Sequence, residues 1–403
     1  MIKKIYILGM ATMAMCGCEN DIDLPTDNAL GILCINGYIN AGDSVHTISV
    51  SLTGYNEPQV AHNAKVMLYV NGSLTSEGIV YSGGEHGLYS LYDSEVELYG
   101  IINPGDRVQV VATYNGQTAQ SDGIVPQPPQ NVTATGKFVD YYIDNEGHRN
   151  IDNNAICLNI SMTDDGSQAN YYRLACGYSD SIVMPTIQVE EQDEYTKTIQ
   201  QYHFLYSWNY ISVSPYREDE EDDELKSYYY ETKIGWTSTE FYYYDVPALT
   251  DEESNMKIED LDFIMPNIEN KYRIMSDKRF SGSTLLLTTY VKTYDLKSKY
   301  VAYGSRYNLT DEQIQSLAPI LYAKGVVRLT AIDADQYYYI KVLNAIESDY
   351  YSDYSELTGS VKIPSNVSGG SGNIFLTAST DIEVSILEDY QSELEVENYG
   401  YYY

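Results

Sequence analysis

The run "HTISVSLTG" at residues 46–54 sets Ile48, Val50 and Leu52 on one side of an extended chain and Thr47, Ser49 and Ser51 on the other. A period of two suits a strand with one buried face, and it does not fit a helix, whose apolar face recurs every 3.6 residues. Comparable runs follow in "LCINGYI" at 33–39, "AKVMLYVNGSLTS" at 64–76, "HGLYSLY" at 86–92 and "RVQVVATYNGQTAQS" at 107–121. Asn71-Gly72 and Asn115-Gly116 each separate two such runs. A two-residue hairpin turn of type I′ has positive φ at both central positions, which Asn and Gly tolerate, so each pair predicts a tight hairpin. Six or seven strands then fall within about a hundred residues, the size and spacing of an immunoglobulin-like β-sandwich.

"IVPQPPQNV" at 124–132 carries Pro126, Pro128 and Pro129 and reads as an extended linker, since proline cannot donate to a strand ladder. The expected sandwich therefore covers 31–126, and residues 127–403 form a second, larger unit. Strand-like runs continue there at 155–163, 170–178, 195–213 and 227–245, broken by the acidic run "REDEEDDE" at 217–224, a solvated loop without ligand spacing for calcium. Cys157 and Cys176 lie on two runs flanking "TDDGSQ". A symmetric hairpin would face them across a disulfide, and the alternative is two buried thiols.

Two helices are expected later. "NLTDEQIQSLAPILYAKG" opens with Asn308 or Thr310 as N-cap and stops at Gly325, while "DADQYYYIKVLNAIES" is capped by Asp333 or Asp335 and places Tyr339, Val342, Leu343 and Ile346 on one stripe. "VVRLTAI" between them reads as a strand. The fold class expected is mainly β: an N-terminal immunoglobulin-like β-sandwich followed by a larger β-rich domain with a few short helices.

Residues 1–17 carry Lys3 and Lys4 and then "IYILGMATMAM", the plan of a signal peptide and too short for a permanent anchor. Cys18 follows the small Gly17, as the lipid-accepting cysteine of a bacterial lipoprotein does, although Met15 and Cys16 depart from the commonest pattern. Residues 18–30 then form an acidic tether. Glu19, Asp21 and Asp23 behind the cysteine resemble the surface-export signal of lipoproteins in the Bacteroidota. The expected address is the outer membrane, lipid-anchored and facing the extracellular side.

The formal net charge of −34 repels phosphate and makes nucleic acid an unsuitable partner. His46, His62, His86, His148 and His203 form no HExxH or close pair, no G-x-S-x-G elbow occurs, and "VSGGSGN" lacks the context of a phosphate loop. No catalytic residue, metal ligand or cofactor site is assigned. Carboxylate pairs for glycoside hydrolysis meet in space rather than in sequence, so they stay open. Tyrosine is the unusual quantity: 43 of 403 residues, against 2 tryptophans and 6 phenylalanines. It offers large contact area at low torsional cost, and it also suits half-exposed strands. Three in a row on a strand, as at Tyr228, Tyr229 and Tyr230, cannot all face one core, which makes that cluster a candidate binding surface.

The order of features resembles a family, the Bacteroidota surface lipoproteins grouped as domain of unknown function 4249. The resemblance rests on the lipoprotein signal, the sandwich closing near "GIVPQPP", "YYYDVPAL" at 242–249, "SDKRFSGSTLLL" at 276–287, the helix entered by "LTAIDADQYYYIKVL" and "VKIPSNVSGGSGNIF" at 361–375. The insertion at 189–232 does not fit the family pattern. What the resemblance implies is an accessory or binding component beside a TonB-dependent outer-membrane transporter, with no enzymatic activity. A surface adhesin or structural component is the alternative, and a secreted hydrolase with an unrecognised site is a third.

Overall fold

The computed structural model describes residues 30–55, 57–81, 94–151, 154–183, 187–192, 197–207, 210–215, 229–231, 241–243, 246, 248–250, 268–293, 300–303, 310–348, 363–391 and 394–397. The described chain is mainly β. Eight strands come first: β1 (Leu33–Asn40), β2 (Val45–Leu52), β3 (Gln59–Val60), β4 (Lys65–Val70), β5 (Ser73–Ile79), β6 (Glu95–Tyr99), β7 (Arg107–Tyr114) and β8 (Gln117–Ile124). In β2 the inward face carries Ile48 and Val50, as the alternation demands, with Leu52 half-buried and His46 joining them. Both Asn-Gly pairs are hairpin turns with positive φ at each residue: 51° and 80° at Asn71-Gly72, 47° and 81° at Asn115-Gly116. They stitch the sheet β5-β4-β7-β8. Ile35, Ile39, Ile48 and Leu98 from the other sheet pack against Val66, Leu68, Val108 and Val110 from this one, which makes a β-sandwich. "HGLYSLY" lies outside the described residues.

The segment at 125–129 is not free-standing, because Val125 is buried in the sandwich core. Past it come β9 (Gln130–Val139), β10 (Tyr142–Ile143), β11 (Arg149–Asn150), β12 (Ala155–Thr163) and β13 (Tyr171–Val183). The hairpin expected around "TDDGSQ" does not form. β12 joins the sheet β18-β20-β12-β9, with β18 at Phe241–Tyr242 and β20 at Thr284–Lys292, whereas β13 crosses into the large sheet. Cys157 and Cys176 are both free thiols. Alternation turns Cys157 outward with Val139, Tyr142 and Tyr290, while Cys176 points into the core between the sheets. Burial pushes the Cys176 thiol up to about 12.

A five-stranded sheet is built from β14 (Ile187–Gln192), β15 (Lys197–Ser207), β16 (Tyr210–Pro215), β21 (Tyr300–Tyr303) and β24 (Leu394–Glu397). The large sheet runs β17-β13-β22-β23-β1-β2-β3, with β17 at Tyr229–Glu231, β22 at Ile320–Ile332 and β23 at Ser371–Gln391; β19 (Ile274–Ser276) pairs β13 at its side. Helix α1 (Asp311–Ser316) is capped by Thr310 through a capping box with Gln313, but it stops nine residues short of Gly325. Pro319 disfavours helix in the residue before it, and the following residues enter β22. Gly325 is therefore a strand glycine. A Cβ there would sit 2.8 Å from Leu158 Cδ2. Helix α2 (Ala334–Ile346) is capped by Asp333 as expected, yet its buried set is Gln336, Tyr337, Ile340, Val342, Asn344 and Ala345; of the expected stripe only Val342 is fully buried.

β23 links the two halves. Its first residues pair in parallel with β1, from Cys34 opposite Ser371 to Asn40 opposite Thr377, and its later ones pair antiparallel with β22. Asn366 precedes it and pairs its amide with both backbone groups of Ile374, at 2.7 Å and 3.0 Å, in the manner of a neighbouring strand. Val367, Ile374 and Leu376 are buried in the N-terminal sandwich core. The boundary at 126 thus separates two hydrophobic clusters, but the first is completed by residues near the other end of the chain.

Candidate functional site

On β13, β22 and β23 alternate residues face the core while their neighbours face outward. Inward go Leu174 and Cys176 of β13, Val327, Leu329 and Ala331 of β22, and Ala378 of β23. The outward residues line up by register: Arg173, Thr330 and Ser379 form one row, Ala175, Arg328 and Asp381 the next, and Ile332, Thr377 and Asn40 a third that reaches β1. With Tyr38, Asp43 and Gln336 of α2 these rows line a groove of about 730 Å³. This concavity on the face of the large sheet is of a size to take a small ligand. A second hollow of about 60 Å³ beside Asp333 and Asn366 is too small for more than water.

Most polar groups on the groove floor hold one another. Arg328 forks onto Asp381 at 2.8 Å and 2.6 Å, and Thr330 and Ser379 pair their hydroxyls at 3.0 Å. Thr377 donates to Asn40 Oδ1 at 3.2 Å. Two groups differ. Arg173 donates from Nε to the Tyr272 carbonyl at 3.3 Å and lies over the Tyr272 ring, yet among the described residues no carboxylate pairs with it. Burial pushes its pKa below the ordinary arginine value. Gln336 is 2% exposed, and among the described residues its Oε1 has no hydrogen-bond partner. Tyr38 stands at the groove with 59% of its surface exposed, its ring 5.3 Å from that of Phe375.

Elsewhere, Asp164 and Asp277 are buried together, and Asp164 is sealed by donors. Asp164 accepts from Gly166 N, Gly282 N, Asn170 Nδ2 and Tyr172 Oη at 2.7–3.0 Å. Asp277 accepts from Asn170 N at 3.0 Å. The four donors on Asp164 tie its loop to the Gly282 turn and occupy its oxygens. Among the described residues no group of three or more His, Cys, Asp and Glu could hold a metal ion. His46 is buried with Nε2 2.8 Å from the Gly100 carbonyl, His62 meets the Tyr81 carbonyl, and His148 lies beside Asp144 and Glu146. His86 and the side chain of His203 fall outside the described residues.

Cys18, Glu19, Asp21, Asp23 and Tyr228 lie outside the described residues, as do the side chains of Tyr229 and Tyr230. The backbone of those two tyrosines sits on β17, with Tyr230 opposite Ile182 and Tyr229 opposite Val183. Ile182 is nine residues along β13 from Arg173, about 30 Å at ~3.3 Å per residue. The structure does not bring the tyrosine cluster to the groove. Arg173, Arg328, Gln336 and Tyr38 were not singled out from sequence. A signal existed in the polar residues alternating through "YYRLA", "VRLTA" and "LTASTD", but which strands share a face depends on pairings between distant segments.

The sequence profile of the family described as "Domain of unknown function (DUF4249)" matches residues 19–383. The chain belongs to this family. No curated protein matches. Among solved structures, Drosophila OTK extracellular domains 3–5 align over 92% of this chain and 98% of that one, at 8% identity and a TM-score of 0.15. That overlap is too weak to inform the fold. In this DUF4249 protein the groove gathers Arg173, Gln336 and Tyr38 on one sheet face.

Proposed function

We propose that this DUF4249 protein is an outer-membrane surface lipoprotein, anchored through Cys18, that acts as a noncatalytic binding component of a TonB-dependent nutrient-uptake system. One observation carries the binding role: a groove open to solvent on the face of the large sheet, with planar polar side chains, one exposed aromatic ring and an arginine that has no carboxylate partner among the described residues. Ligand sites combine a concave surface with a few placed polar groups, and this groove has that character. Its floor hydroxyls and its bidentate Arg328–Asp381 pair are engaged with each other, an arrangement for holding rather than for transferring protons. The surface address rests on the signal sequence, and the transporter on what the family resemblance implies. Tyr228, Tyr229 and Tyr230 are proposed as the transporter-facing contact; the backbone of Tyr229 and Tyr230 lies on β17, at the edge of the same sheet.

Affinity purification from detergent-solubilised outer membranes tests this. A β-barrel transporter should co-purify with the wild-type chain, be depleted for the triple alanine variant of Tyr228, Tyr229 and Tyr230, and be lost along with membrane association for Cys18→Ala. Recovery without any barrel protein would overturn the accessory role.

A further inference from the structure

We infer that the groove binds an acidic saccharide, its carboxylate held by Arg173 and a ring face resting on Tyr38. This rests on the reading of the protein as a binding component and names the class of ligand. The chain has 58 acidic and 24 basic side chains, so carboxylates are abundant partners for any arginine. Arg328, on the next strand, takes one bidentately. Arg173 is half-buried and takes none among the described residues. A guanidinium withdrawn from water without a counter-charge is costly, and an arriving carboxylate meets it in the planar, two-donor geometry that arginine favours.

Three further features select a sugar. Gln336 borders the groove with a buried, unpartnered Oε1, an acceptor that a ligand hydroxyl would satisfy. Tyr38 is braced by Phe375, which itself packs on Tyr339 at 5.0 Å, so the exposed ring is a rigid platform for the C–H face of a pyranose. Among the described residues the lining offers Ala175 and Ile332 as aliphatic groups, too little to receive peptide side chains, while Gln336 adds an amide and the exposed Asp43 a carboxylate for vicinal hydroxyls.

The test is isothermal titration of the full-length protein in detergent micelles. The probes are trigalacturonic acid, its methyl ester and triglutamate. Trigalacturonic acid should bind, and the ester should bind at least tenfold more weakly. Arg173→Gln should lose at least tenfold for the acid and little for the ester, Arg173→Lys should keep part of the affinity, and Tyr38→Ala should weaken both ligands. All variants should keep the wild-type thermal midpoint within a few degrees, so that the losses reflect contact. Equal affinity for acid and ester, or an unaffected Arg173→Gln, would overturn the role of Arg173. Triglutamate binding without trigalacturonate binding, or no binding of trigalacturonate, would overturn the saccharide. Intact trigalacturonate binding without a co-purifying barrel would overturn the accessory role alone.

Discussion

Asp164 and Asp277 share one seam beneath the β12–β13 crossing, and burial opposes the charge of both, yet the net results differ. At Asp164 the penalty is outweighed by donors from Gly282, Tyr172, Gly166 and Asn170, so its carboxyl is held below the usual range. Its contribution to stability is complete above the ordinary carboxylate value and is lost as pH falls through the lower folded-state value. At Asp277 burial prevails, with the Asp164 charge adding to it, and the carboxyl is raised. There ionisation takes stability away as pH rises past the unfolded value. Asp164→Asn should therefore cost about 2–3 kcal/mol at pH 7, because charge-assisted hydrogen bonds are lost and donors stranded, and the deficit should narrow at pH 3. Asp277→Asn keeps an acceptor for Asn170 N and should be neutral or stabilising at pH 7. Urea unfolding at both pH values checks the pair; equal losses for the two variants would contradict the account. At this scale the turn and cap residues were legible, whereas the groove residues and the inward face of α2 were not: Tyr339 was expected on the buried stripe, and Tyr337 takes that place. The tyrosine triplet at 337–339 divides as a helix must divide it, with Tyr337 buried, Tyr338 51% exposed and Tyr339 between them.

Among the elements, those set by backbone demands of adjacent residues follow from sequence, and those set by distant pairing do not. The Asn-Gly hairpins and the Thr310 and Asp333 caps belong to the first kind. The second kind includes the separation of β12 from β13, the strand that replaces the expected end of the first helix, and the rows that bring Arg173 next to Ser379. "LAPILYAKG" has helix-forming residues, but a place between β13 and β23 offers thirteen residues of ladder on one side and a nearly matching one on the other. Two glycines separate turn chemistry from close approach. Gly116 has a φ of 81° and open space around its missing Cβ, so Gly116→Ala should cost about 1 kcal/mol. Gly372 has a φ of 102°, and a Cβ there would lie 2.2 Å from the Ile35 carbonyl oxygen. Gly372→Ala should lower the thermal midpoint by several times as much as Gly116→Ala, and similar shifts would mean that the β1–β23 junction yields easily.

For the whole molecule, the continuity of the large sheet matters more than the count of its sheets. Val367, Ile374 and Leu376 close the N-terminal core from a distance, each less than a tenth exposed. A fragment of residues 30–130 therefore leaves Ile35 and Val110 facing a gap and should show no cooperative thermal transition, since a missing strand forfeits both burial and a ladder. Adding a peptide of residues 363–380 should restore one, seen by near-UV circular dichroism; a bare fragment that already melts cooperatively would show that the sandwich is self-sufficient. The Asn373 N–H reaches Asn36 Oδ1 across 337 residues of sequence. The chain emerges with β1 more than three hundred residues ahead of β23, so β1 waits through that length of synthesis with one edge unsatisfied. Contacts of such long separation also place the chain among slow folders, whose rate is set by loop closure. The sandwich is thus made ahead of the larger unit and finished only with it.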